Sequence, residues 1–158
     1  MNPTPAGWPR ISTSIFYLDP AAAIDWLCRA FGFEVQVKIE GTEGRIEHSQ
    51  LRFGDGLIMV AGAGPGYRDR LPQGSFRRDL VSPEEVGGRT THTHCLYVDD
   101  VDAHCEVARS AGARIASEPE TTDYGEAYWA DRTYAAIDPE GHVWWFMQRL
   151  RDETTQVE

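Results

Sequence analysis

The side chains in this chain that could do chemistry are few: five histidines and three cysteines among 158 residues. His92-Thr93-His94 has i, i+2 spacing, which on a strand puts both imidazoles on one face. That geometry can bind a divalent metal, with a third ligand supplied by His48 or a carboxylate. Strand parity, however, sends both rings to the face of Leu96 and Val98, the side that packs under a helix. There a histidine pair more often hydrogen-bonds locally. His48 lies in Arg45-Ile46-Glu47-His48-Ser49-Gln50-Leu51. Leu51 and Phe53 take the core parity, so His48 and Gln50 point to the opposite face. His48 is therefore the candidate for a polar contact or a general base, against the plainer reading of a surface histidine on an edge strand. Cys95 would need a thiolate-favouring neighbour to act as a nucleophile, and a small packed thiol is the simpler role.

The aromatic residues set the frame for these groups. Asp138-Pro139-Glu140-Gly141 reads as a tight turn, and the run from His142 to Met147 as a buried strand. Adjacent Trp144 and Trp145 must point to opposite faces. One packs under a helix; the other fills or lines something on the far side.

Composition excludes several classes. A net charge of −10 argues against nucleic-acid and anionic-membrane partners. No run approaches the ~20 apolar residues of a membrane span. Met1-Asn2-Pro3-Thr4-Pro5 has no basic or apolar signal region. Cys28, Cys95 and Cys105 lack Cys-x-x-Cys spacing, which suits free thiols in a reducing cytoplasm.

The elements fall into two similar halves. Residues 1–10 form a proline-rich lead-in. Ile11 to Leu18 reads as a strand, and Asp19-Pro20 opens a helix whose stripe is Ile24, Leu27, Cys28 and Phe31, ended by Gly32. Strands follow at 33–40, 45–53 and 57–61, giving a βαβββ module over 11–61. Tyr17-Leu18-Asp19 returns as Tyr97-Val98-Asp99, and Ala30-Phe31-Gly32-Phe33 as Ser110-Ala111-Gly112-Ala113, each at an offset of 80. Asp99 or Asp100 caps the second helix, with Val101, Cys105 and Ala108 as its stripe. A second βαβββ module is thus expected over 91–150, with an aromatic-rich insertion at 121–132 that carries Tyr124, Tyr128 and Trp129. Asp131-Arg132 could anchor that insertion as an ion pair. An irregular intermodule loop spans 62–90, and 151–158 is a polar tail.

This order of motifs resembles the vicinal oxygen chelate superfamily of glyoxalases, bleomycin-resistance proteins and extradiol dioxygenases, and within it the PhnB-like group. The likeness rests on Ala30-Phe31-Gly32-Phe33, Ser82-Pro83 with Gly87-Gly88, Val98 to Ala103, Ala111-Gly112-Ala113, and Asp131 to Tyr134 running into Asp138 to His142. It implies an α+β fold in which two βαβββ modules form an open, curled sheet around a central cleft, and it favours a homodimer. Counted onto this sequence, the family's metal-ligand positions fall on Thr13, Val60, Thr93 and Trp145. These side chains make no divalent-metal site, so neither metal nor other cofactor is expected. By parity with Thr13 and Thr93, Tyr17 and Tyr97 also face the cleft.

Two classes of function follow from the resemblance. The first is a metal-free protein that binds a small hydrophobic or aromatic organic ligand, in a sequestering or resistance role. Its ligand-binding candidates are Thr13, Tyr17, His48, Val60, Thr93, Tyr97, Trp129 and Trp145, with Trp145 as a stacking wall. The second is a metal-dependent lyase, isomerase or dioxygenase with a shifted site, for which His48 is the one candidate catalytic residue. A third outcome is a cleft plugged by Trp145 and Met147.

Overall fold

Asp19 and Gly32 delimit the first helix for local reasons. The Asp19 carboxylate accepts a hydrogen bond from the Ala22 amide at 3.0 Å, Pro20 needs no donor partner in the first turn, and Gly32 closes the helix at φ 79°. The computed structural model describes residues 1–152 and divides into two compact units, residues 1–88 and the chain from Arg89 on.

The first unit runs β1 (Thr13–Tyr17), α1 (Pro20–Phe31), β2 (Glu34–Glu40), β3 (Ile46–Phe53) and β4 (Gly56–Gly62). Its open four-stranded sheet has the order β1-β4-β3-β2, with β4 parallel to β1. The pairings Ile15↔Val60 and Leu51↔Ile58 place Ile15, Tyr17, Val60 and Leu51 on one face, all at most 1% exposed. α1 covers that face with Ile24, Leu27 and Phe31, also fully buried. Each such side chain contributes roughly 2 kcal/mol by leaving water. Where the β3–β4 ladder opens, buried Ser49 replaces it: its Oγ donates to the Val60 carbonyl at 2.7 Å and accepts from the Val60 amide at 2.9 Å.

The stretch expected as an irregular loop is a series of short helical turns: α2 (Pro65–Arg68) and 3-10 turns at Phe76–Asp79 and Pro83–Val86. They are tied together by Arg68 to Glu85 at 2.9 Å, by Arg78 to the carbonyls of Arg68 and Leu71, and by a Ser82/Glu85 capping box. Tyr67 accepts from the Ile46 amide at 3.1 Å, and its ring lies where a Cβ at position 62 would stand, which is why Gly62 has none.

The second unit repeats the plan with β5 (His94–Tyr97), α3 (Val101–Ser110), β6 (Arg114–Asp123), β7 (Ala130–Ile137) and β8 (Val143–Arg151), in sheet order β5-β8-β7-β6. Val101, Cys105 and Ala108 of α3 are fully buried over Tyr134, Ala136, Trp144 and Phe146. Asp100, not Asp99, is the cap, accepting from the Ala103 amide at 2.9 Å. The two halves therefore correspond at an offset of 81 through the first strand, one residue from the expected register. The insertion lengthens the β6–β7 hairpin, whose tip is 124–129. The predicted tail begins at Arg151, still in β8, and 153–158 lie outside the described residues.

Asp138 holds the turn into β8. Its Oδ1 accepts from the amides of Glu140 (3.1 Å) and His142 (2.9 Å), and its Oδ2 accepts from the Trp144 indole N–H at 3.1 Å, with Asp138 only 4% exposed. Removing the carboxylate strands buried donors, which costs more than the bonds themselves contribute. Asp138→Ala is therefore expected to lose about 2–4 kcal/mol of unfolding free energy in urea denaturation. Asp138→Asn, which keeps an acceptor for the backbone amides, is expected to lose less.

Candidate functional site

The face of the second sheet that α3 leaves uncovered is built by β8 and its neighbours. Trp144 and Phe146 point under α3, so Trp145, Met147 and Arg149 point the other way. Cys95 and Tyr97 of β5 pair with Trp145 and Met147 and share that face. Trp145 is half-buried and Tyr97 is 53% exposed. The two adjacent tryptophans divide between core and far side as their spacing requires.

The β6–β7 tip supplies the rest. Trp129 is half-buried, its ring 5.2 Å from Tyr124 and 6.2 Å from Tyr128. The tip is fixed by Tyr124 and Tyr128 backbone bonds to Trp129 and Gly125, and by Arg151, which donates to Asp123 and to the Gly125 carbonyl. Arg149 sits between these aromatics, with its guanidinium carbon 5.6 Å from the Tyr97 ring centre and 5.5 Å from that of Trp129. It donates to Asp131 at 2.6 Å, to the Tyr97 hydroxyl at 2.8 Å and to Asp152 at 3.1 Å. The Asp131 carboxylate raises the guanidinium pKa further, so Arg149 stays charged. The expected Asp131–Arg132 pair does not form: Arg132 turns to the other face and binds Asp102 of α3 at 2.6 Å. Neighbours along a strand point apart, so each finds its own partner.

The placement of the other predicted residues divides. Tyr17 and Val60 are 1% exposed in the core under α1, and Thr13 shares their face. The expectation that Thr13, Tyr17 and Val60 look away from the helix is corrected. The physical reason is the one-residue offset: Ile15↔Val60 under α1 corresponds to Leu96↔Phe146 under α3. Position 12 then corresponds to Thr93, and Met59 to Trp145. Thr93 is exposed and precedes β5.

His48 does lie on the uncovered face of the first sheet, at the end of a polar chain. Arg52 donates to the Gln36 carbonyl at 2.7 Å, Gln36 donates to the Gln50 carbonyl at 3.1 Å, and the Gln50 amide meets His48 Nε2 at 2.8 Å. An amide nitrogen can only donate, so Nε2 accepts and Nδ1 carries the proton. The lone pair a general base would use is already engaged. The same unit carries a surface recess of about 290 Å³ lined by Asp19, Glu43, Arg45, Tyr67 and Arg70, none of them a predicted site residue.

Among the described residues, no three His, Cys, Asp or Glu side chains gather so as to hold a metal ion. His92 and His94 lie 5.0 Å apart, and His94 packs 4.4 Å from Trp144 on the helix side. Among the described residues, none bonds Nε2 of the buried His94. Burial, with His92 and His142 nearby, lowers its pKa from 6.5 to about 4.

The family model described as the Glyoxalase/Bleomycin resistance protein/Dioxygenase superfamily matches residues 11–146. An uncharacterized protein of Mycobacterium bovis is 30% identical over 144 residues, 91% of this chain and 86% of its own length. TioX from Micromonospora sp. ML1 is 29% identical with a TM-score of 0.65, over 90% of this chain and 100% of that one. TnmS3, an antibiotic binding protein from Streptomyces sp. CB03234, shares the fold at a TM-score of 0.56 and 23% identity, over 87% of this chain and 93% of that one.

The His94 environment sets a pH dependence. The unfolded imidazole takes up a proton near pH 6.5, the folded one only near 4. The stability that neutral His94 confers is full above pH 6.5 and falls as pH drops toward 4, by roughly 3 kcal/mol in all. Urea denaturation from pH 7.5 to 4.5 is expected to show this loss, and His94→Gln is expected to flatten the profile in that window.

Proposed function

The chain belongs to the Glyoxalase/Bleomycin resistance protein/Dioxygenase superfamily, and from that premise we propose that it is a metal-free binding protein for a small, flat organic ligand, in a sequestering role. The observation that carries this is the uncovered face of the second sheet, where Tyr97 and Trp129 lie against Arg149, Tyr124 and Tyr128 pack on Trp129, and Trp145 shares the face. Tyr124 and Tyr128 are 52% and 56% exposed, so the chain keeps aromatic rings in water here. Rings fixed by backbone bonds and ion pairs offer stacking surface at little entropic cost on binding.

The donor chemistry supports the metal-free form. The positions that the resemblance assigns to metal ligands, Thr13, Val60, Thr93 and Trp145, offer neither imidazole nor carboxylate, and nor do Ser12 and Met59 one residue earlier in the first unit. The reading extends to a cytoplasmic homodimer. Its support is three free thiols and the edge strand β2, which leaves Val35 and Ile39 47% and 51% exposed. Among the described residues no helix is long and apolar enough to cross a membrane. That TnmS3 is an antibiotic binding protein shows a use to which this fold is put in that protein.

Native mass spectrometry of the protein, before and after incubation with Zn, Ni, Fe and Mn salts, tests the proposal. The expected result is a dimer that retains less than one metal per chain and carries a co-purified organic molecule or binds a planar aromatic added to it. Trp129→Ala and Trp145→Ala are each expected to weaken that binding about tenfold or more, as loss of a stacking partner does. A tightly held equivalent of metal would instead favour a metal-dependent enzyme.

A further inference from the structure

Arg149 has binding capacity that the fold does not use. A guanidinium carries five N–H donors. Asp131 takes Nε–H, Asp152 one hydrogen of Nη1, and the Tyr97 hydroxyl one hydrogen of Nη2. Among the described residues nothing accepts the second hydrogen on either Nη. The side chain is 31% exposed, and its guanidinium carbon stands 5.6 and 5.5 Å from the Tyr97 and Trp129 ring centres. Asp131 holds the guanidinium through Nε.

Its electrostatics are equally specific. Asp131, 6% exposed, lies against Nε and balances the charge of Arg149 without reaching the solvent side. Arg151 is paired with Asp123, and Asp152 is largely solvated. The guanidinium thus keeps N–H capacity beside two rings whose electron-rich faces it already meets. Both rings already hold a guanidinium, so a second cation gains little from them, whereas an oxygen acceptor meets N–H groups with hydrogens still to donate.

We propose that Arg149 is the specificity-determining residue of this face. Its ligand is then a planar aromatic bearing an oxygen acceptor at its edge, as a carbonyl, phenolate or carboxylate, and not a cationic aromatic. This rests on the binding role proposed above and adds to it the chemical class of the ligand.

A matched naphthalene series tests the assignment, with dissociation constants read from quenching of tryptophan fluorescence. 2-Naphthoate and 2-acetylnaphthalene are expected to bind at least tenfold more tightly than N,N,N-trimethyl-2-naphthylammonium. In Arg149→Gln that preference is expected to fall to less than threefold. Arg149→Gln strands the buried Asp131, so the double variant Asp131→Asn/Arg149→Gln, which leaves no buried unpaired charge, is measured beside it with circular dichroism to verify the fold. Equal binding of all three probes, tighter binding of the ammonium, or an unchanged preference in the folded double variant overturns the assignment while leaving the binding role in place. Failure of every probe to bind the unaltered protein overturns both.

Discussion

Everything on the uncovered face of the second unit depends on the register of β8. A strand has two faces, and one buried carboxylate decides which residues take which. Asp138 fixes the turn through the amides of Glu140 and His142 and captures the Trp144 indole N–H. With Trp144 committed to the core, alternation places Trp145, Met147 and Arg149 outside it. A slip of one residue would bring Arg149 under α3 and expose Trp144 and Phe146, a change no local relaxation could absorb.

Given that register, the outward face is stiff. Arg149 joins β8, β7 and β5 through Asp131 and Tyr97, and Arg151 fixes the hairpin tip through Asp123 and Gly125. Exposed ion pairs of this sort stabilise the fold little. Their consequence is positional: one guanidinium, 5.6 and 5.5 Å from the Tyr97 and Trp129 ring centres and bonded to the Tyr97 hydroxyl, ties both rings to β8. The first unit contrasts with this. Its uncovered face carries a hydrogen-bonded chain from Arg52 to His48, in which each amide serves its neighbour.

Much of the fold was legible because it is encoded locally. Asp19-Pro20 and Gly32 bound a helix by their own chemistry, the apolar stripes name the buried helix faces, and the repeated motifs announce two βαβββ modules. The register between those modules was not legible. Asp99 and Asp100 are the same residue type, and only the bond to the Ala103 amide tells which one caps the helix. Thr13, Tyr17 and Val60 stand 80, 80 and 85 residues before Thr93, Tyr97 and Trp145, whereas strand pairing matches the units at 81 and 86, so the two sets take opposite faces. Arg149 drew no notice because its importance comes from partners 18 and 52 residues away, brought together by strand pairing. That Trp145 turns away from the core was legible, because the strand neighbour of a committed core tryptophan has one face left. The engagement of His48 was hidden too, since it depends on a chain of amides spanning two strands.

The central claim is that β8 divides its tryptophans, one to the core and one to a ligand-facing surface shared with Trp129. The most direct measurement is fluorine NMR of protein labelled with 5-fluorotryptophan, its five resonances assigned by single Trp→Phe substitution, during titration with 2-naphthoate. The account predicts that the Trp129 and Trp145 resonances shift together and saturate while Trp144 stays in place. A shift confined to Trp144, or saturation that leaves Trp129 and Trp145 unmoved, would contradict it.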